Sequence, residues 1–124
     1  MKISSYEFGK QGEQQAIDFL SKKGYSIIEV NWRYQHKEID IVAECNDELR
    51  IVEVKTRTSA VWQTIDEIVG ATKQKNIIAA ADAYMQQNNV DKNVVFDIVY
   101  IVQNDIKQRI ELIQDAFHSY DSEI

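Results

Sequence analysis

Asp40, in the run Glu38-Ile39-Asp40, and the triplet Glu53-Val54-Lys55 are the residues whose types and spacing could do chemistry. Between them lies Asn46-Asp47, a two-residue hairpin turn, because both residue types tolerate the positive φ of a type I′ turn. With 46 facing 47, Asp40 falls opposite Glu53 and Glu38 opposite Lys55. Side chains two apart on a strand share a face. Glu38, Asp40, Glu53 and Lys55 are therefore expected in one patch, with Ile39, Ile41, Val52 and Val54 on the other face. A slip of one residue would destroy the arrangement.

Directly opposed Cβ atoms lie roughly 5 Å apart, where two ionised carboxylates repel by on the order of 3 kcal/mol at an effective dielectric of 20. Two arrangements relieve this. Lys55 can neutralise the pair in an ion-pair lattice on an exposed sheet face, or a divalent cation can take hard oxygen ligands from both carboxylates. Val42, Leu49 and Ile51 fall on the same face as the patch, so it borders a core rather than open water, which favours the cation.

These residues need elements to hold them. Ser5 to Lys23 repeats Gly9, Glu13, Ala16, Ile17 and Leu20 at helical spacing, with Gly24 as the C-cap. Glu13 falls on the stripe that must face the sheet, where a carboxylate either finds a partner or reaches out to solvent. Tyr25 to Tyr34, Glu38 to Glu44 and Glu48 to Arg57 read as three antiparallel strands. Thr64 to Gln87 returns to helix, with Ile77, Ala80, Ala81, Tyr84 and Met85 on a broad apolar face and a break near Gly70. Lys73 and Gln74 flank that face, a common place for ordinary polar residues. Asn93 to Val102 is a buried strand and Arg109 to Ile113 a shorter edge strand, while the tail from Asp115 carries no pattern. The order αβββαβ, with a further edge strand, implies an α/β fold. A three-strand meander and a helical crossover bring the fourth strand back parallel to one of the first three, in a mixed sheet flanked by helices. An all-antiparallel sheet is the weaker alternative.

The 124 residues, 44% hydrophobic and 27% charged, suit one globular domain spanning residues 1–124, and the lack of proline leaves no linker of that kind. The N-terminal run carries Glu7 and Glu13 and cannot serve as the apolar core of a signal peptide. No apolar stretch approaches the roughly 20 residues that span a bilayer. A cytoplasmic protein without a membrane partner is expected, and the lone Cys45 suits that compartment as a small buried hydrophobe. A net charge of -6 argues against nucleic acid, but residues 76–124 hold three basic and eight acidic side chains and so carry nearly all the surplus. Between Arg33 and Lys75, the residues Arg33, Lys37, Lys55, Arg57, Lys73 and Lys75 leave room for a locally basic surface.

An Asp on one strand, Glu-X-Lys on the next and an upstream helical Glu resemble the PD-(D/E)XK nuclease superfamily. The likeness to one branch is closer. Gly12-Glu13 with Ala16, Gly24-Tyr25, Asn31, Arg33, Glu38-Ile39-Asp40, Glu53-Val54-Lys55-Thr56-Arg57, Lys73-Gln74, Ala80, Tyr84 and Phe96-Asp97 occur in the order and spacing of the YraN-like family of bacterial proteins. The chain has Lys37 where the family pattern has Gly and Val95 where it has Arg; neither departure removes a candidate ligand.

The resemblance implies a restriction-endonuclease-like fold, similar also to archaeal Holliday-junction resolvases, and Mg²⁺-dependent hydrolysis of DNA phosphodiesters, with Mn²⁺ as an alternative ion. Asp40, Glu53 and the Val54 carbonyl would be metal ligands, with Glu13 a ligand directly or through water. Lys55 would orient and help deprotonate the attacking water. Arg33, Arg57, Lys73 and Gln74 are candidates for DNA phosphate contacts, which position rather than specify. Branched DNA is a candidate substrate, and a homodimer, as in junction resolvases, is a candidate assembly. Two other classes stay open. One is a DNA-junction-binding module that keeps the carboxylates but cleaves nothing. The other is a partner-binding domain whose charged cluster is purely structural.

Overall fold

The computed structural model describes residues 4–59 and 63–119. Helix α1 (Ser5–Lys22) opens where the Ser4 hydroxyl accepts the Glu7 N–H at 3.1 Å, an N-cap that satisfies one of the free donors of the first turn. It closes at Lys23, and Gly24 follows at φ +93, a left-handed conformation that costs glycine little. Gly12, Ala16 and Leu20 form its buried stripe. A Cβ at Gly12 would collide with the Thr56 methyl, so glycine is what lets this helix lie close on the sheet.

Strands β1 (Ser26–Tyr34), β2 (Lys37–Cys45) and β3 (Glu48–Arg57) form the expected meander. Asn46 and Asp47 sit at φ 54 and 63, the left-handed values of a type I′ turn, and Ile41 registers with Val52 as that turn requires. A one-turn helix α2 (Ile65–Ile68) is opened by a Thr64–Glu67 capping box. Helix α3 (Ala71–Gln87) starts from Gly70, where the break in the pattern was expected. Strands β4 (Val94–Gln103) and β5 (Gln108–Phe117) complete a five-stranded sheet of order β1-β2-β3-β4-β5. The β3–β4 pair is parallel and the other pairs are antiparallel. The helical crossover thus returns the chain beside β3, which excludes the all-antiparallel alternative.

Each face of the sheet carries its own core. Ala16 and Leu20 of α1 pack with Ile41, Ala43, Val52, Val99 and Ile101 on one face. Ile77, Ala80, Ala81 and Tyr84 of α3 pack with Val42, Leu49, Ile51, Phe96 and Ile98 on the other. Among the described residues no helix is long and apolar enough to cross a membrane.

Strand β5 runs further than its alternation indicates. Asp115 takes φ 54 where the β4–β5 register shifts between Phe96 and Ile98, and beyond this bulge Phe117 is buried and stacked on Phe96 with centroids 5.1 Å apart. The bulge breaks the period of two and hides the rest of the strand. The same place holds a buried polar cluster. The Asp97 carboxylate accepts from Tyr25 Oη at 2.6 Å, Arg50 Nη1 at 3.2 Å and the Asp115 N–H at 2.9 Å. Burial, reinforced by the bond to Asp97, pushes the Tyr25 phenol up to about 12. Arg50 is registered opposite Val95, so it brings an arginine to Asp97 from the neighbouring strand. Asp97 fastens β3, β4 and β5 to Tyr25, the residue that leads into β1.

Candidate active site

The β2–β3 ladder ends at Ile41–Val52, and past that pair side chains replace main-chain bonds. Asp40 Oδ2 accepts the Val54 N–H at 2.8 Å, and the Glu53 carboxylate lies near enough to act on the Asp40 carboxyl. Burial first, and then the charge and hydrogen bond of Glu53, push Asp40 up to about 7, while the Val54 N–H and Lys73 pull it down. Glu53 is 3% exposed, with Oε2 lying 3.5 Å from Lys55 Nζ and 3.4 Å from Lys73 Nζ. Its Oε1 is buried and meets no donor among the described residues.

Glu13 approaches from α1. Its Oε1 accepts from Asn31 Nδ2 at 2.8 Å and lies 3.7 Å from Lys10 Nζ. Glu13, Asn31, Arg33, Glu38, Asp40 and Val54 line a cavity of about 500 Å³, which Tyr6 and Lys10 of α1 also line. Asn31 stands between the registered pairs Val30–Ile41 and Trp32–Ile39, hence across from Asp40, at φ 56. Asparagine tolerates this left-handed conformation better than most residues.

Here the expected assignment of faces needs correction. Val54 does pack with Ile41 and Val52, but Ile39 belongs to the opposite core, with Trp32, Val42, Leu49 and Ile51. Glu38 does not face Lys55: its carboxylate pairs with Arg33 across the β1–β2 ladder at 3.2 Å, while Lys55 turns to Glu53. Because the β2–β3 ladder stops and the backbone turns left-handed at Asn31, strict alternation fails at Asp40. The four charges straddle the open end of the hairpin, with Glu38 and Asp40 toward α1 and Glu53 toward Lys73 of α3.

The remaining candidates divide. Arg33 lines the cavity and Lys73 joins the cluster at Glu53. Arg57 donates to the Thr56 carbonyl at 2.9 Å. Gln74 is occupied in bracing the break between α2 and α3, donating to the Asp66 carboxylate at 2.9 Å and the Val69 carbonyl at 2.7 Å. Sequence reasoning gave no role to Tyr6, Lys10 or Asn31. The signal was available for the first two, since positions 6, 10 and 13 lie along one side of a helix.

A buried acceptor without a donor costs about 1–3 kcal/mol, more when charged. Glu53 Oε1 beside the raised Asp40 carboxyl suits a hard divalent cation, which would satisfy the one and ionise the other. Among the described residues no three Asp, Glu, His or Cys side chains are grouped closely enough to hold a metal ion by themselves, so an ion here needs main-chain or water ligands as well.

A five-stranded mixed sheet flanked by helices, with an Asp and a Glu-X-Lys at the open end of its central hairpin, is consistent with a restriction-endonuclease-like fold. More particularly, the chain belongs to the uncharacterised protein family UPF0102, whose profile matches residues 12–101; this is the YraN-like group the sequence resembles. It is 40% identical to a UPF0102 protein of Parabacteroides distasonis over 91% of this chain and 93% of the relative. It is 44% identical to one of Phocaeicola vulgatus over 90% and 93%. It is 39% identical to UPF0102 protein FP2501 of Flavobacterium psychrophilum over 92% and 96%.

Proposed function

We propose that this protein is a Mg²⁺- or Mn²⁺-dependent endonuclease that hydrolyses DNA phosphodiester bonds. The observation that carries the reading is the confrontation of Asp40 and Glu53, one carboxyl pushed up to about 7 and the other with a buried oxygen that meets no donor. Asp40, Glu53 and the Val54 carbonyl would hold the cation, with Glu13 reaching it through water. When bound, the ion supplies charge stabilisation for the phosphoryl oxygens and lowers the pKa of water. Lys55, whose ammonium lies 3.5 Å from Glu53, orients the attacking water and by its charge stabilises the hydroxide left when that water gives its proton to solvent. Arg33 and Lys73 hold the flanking phosphates. Their places beside the cavity and beside Glu53 rank them above Arg57 and Gln74, which are occupied with backbone and inter-helix bonds.

One observation favours a different class. Lys55 and Lys73 both pair with Glu53 Oε2, which balances that charge without any ion and suits a module that binds DNA but does not cut it. Calorimetric titration with Mg²⁺ and Mn²⁺, run beside cleavage of linear and branched DNA, separates the two. Under the nuclease reading the wild type binds the ion and cleaves, and Glu53→Gln loses both. DNA binding without ion binding or cleavage would establish the module instead.

A further inference from the structure

We infer that Tyr6, Lys10 and Arg33 form a seat for one unpaired DNA nucleotide beside the carboxylates, so that the favoured substrate is single-stranded, or unpaired next to the bond that is cut. The inference rests on the nuclease reading above and names its substrate class. The cavity that takes in Glu13 and Asp40 has about 500 Å³, within the range of small-ligand sites. Its charges are sorted by depth. The side chains of Glu13 and Glu38 are 17% and 32% exposed, those of Lys10 and Arg33 47% and 70%. Carboxylates inside and cations outside suit a cation held deep and a phosphate held at the rim. Lys10 and Arg33 are paired with Glu13 and Glu38. The Arg33–Glu38 pair, open to solvent at its cation, is worth roughly 0–1 kcal/mol and yields readily to a phosphate.

Tyr6 supplies the remaining part. It is 73% exposed on the first turn of α1, lines the same cavity, and has Lys10 Nζ 5.7 Å from its ring centroid. Packing gives no reason for a ring there. An exposed aromatic face next to a cation is a platform for a base, and stacking of this kind tolerates any base because every base has a π-face. In a duplex those faces are covered by neighbouring pairs, so only an unpaired nucleotide can use the platform. The helical spacing of Tyr6, Lys10 and Glu13 then sets base, phosphate and carboxylate in that order along α1.

The test is fluorescence anisotropy of a labelled single strand and of a duplex of the same sequence, with Ca²⁺ as the ion, for wild type, Tyr6→Ala and Tyr6→Trp. Tyr6→Ala should weaken single-strand binding by roughly 5- to 100-fold, the range of one base–aromatic stack. Tyr6→Trp should bind the single strand at least as tightly as wild type, and the duplex affinity of all three should agree. Equal single-strand affinity for wild type and Tyr6→Ala, or an equal loss on strand and duplex, would overturn the seat while leaving the nuclease reading intact wherever the wild type still cleaves in Mg²⁺. A wild type that binds neither the ion nor DNA would overturn both. Because Tyr6 is exposed, the melting temperature of Tyr6→Ala should match that of the wild type, which excludes unfolding as the cause.

Discussion

Asp40→Asn weighs the carboxylate pair directly, because asparagine keeps an oxygen for the Val54 N–H and discards the charge. The Asp40 carboxyl rises from 3.8 to about 7 on folding, so the folded chain takes the proton more readily than the unfolded one. Its contribution to stability is therefore fully present below about pH 4, is lost as pH rises to about 7, and changes no further beyond that. At about 1.4 kcal/mol per unit the rise corresponds to roughly 4 kcal/mol, part of which the weaker Val54 bond of asparagine offsets. In chelator near pH 8, Asp40→Asn should thus be more stable than the wild type by on the order of 2–4 kcal/mol, a melting-temperature gain on the order of 10 °C for a domain of this size. Near pH 4 the two should melt together. Mg²⁺ at about 100 times its dissociation constant should stabilise the wild type by roughly 2.7 kcal/mol. The variant, short of one charged oxygen, should gain far less, so the gap closes. Thermal unfolding of both proteins across pH, in chelator and in Mg²⁺, measures all of this. A variant less stable than the wild type by one constant amount in every buffer would show that Asp40 is a structural ion-pair partner and not a member of a cation site.

Lys55→Ala should abolish cleavage while anisotropy shows DNA binding retained; equal loss of both with an unchanged circular dichroism spectrum would make Lys55 a phosphate contact instead. DNA affinity should fall steeply as salt rises from about 50 to about 200 mM, because the cations at the cavity displace counterions; a salt-independent affinity would remove nucleic acid from the reading. Gly12→Ala should lose about 1–3 kcal/mol by urea denaturation, since the added methyl meets the Thr56 side chain between α1 and β3. An unchanged midpoint would mean that the helix rides over the sheet without strain.

The hairpin was legible because its turn and its hydrophobic pattern agree. Asn46 and Asp47 both adopt positive φ, and a slip of one residue would have exposed Ile41 and Val52. The parallel crossover was legible for a similar reason, since the long helical segment between β3 and β4 can only return the chain beside a strand already laid down. Reasoning from alternation failed where alternation itself fails. At Asn31 the backbone turns left-handed and the ladder beside Asp40 stops, which sends Ile39 to the α3 core and separates Glu38 from Lys55. At Asp115 a bulge carries β5 on to Phe117. Neither irregularity leaves a periodic trace. Gln74 shows another limit, because its place on the helix flank was readable whereas its occupation by Asp66 and Val69 depends on how α2 folds back.

The chain treats its buried carboxylates in two opposite ways, and the contrast bears on function. Asp97 is saturated: a phenol, a guanidinium and a main-chain N–H all donate to it, and it binds three strands and the residue leading into β1 together. Glu53 is as deeply buried, at 3% exposure, yet one of its oxygens meets no donor and its neighbour Asp40 is another carboxyl. A cluster serving only the fold would gain by filling that position with a donor, as happens at Asp97. Here the ladder ends early, a residue adopts a left-handed backbone, and Asp40, which lines the cavity, stands near the buried Glu53. Under the proposed function the unmet Glu53 oxygen, beside a carboxyl that burial already raises, is the feature a bound cation would relieve.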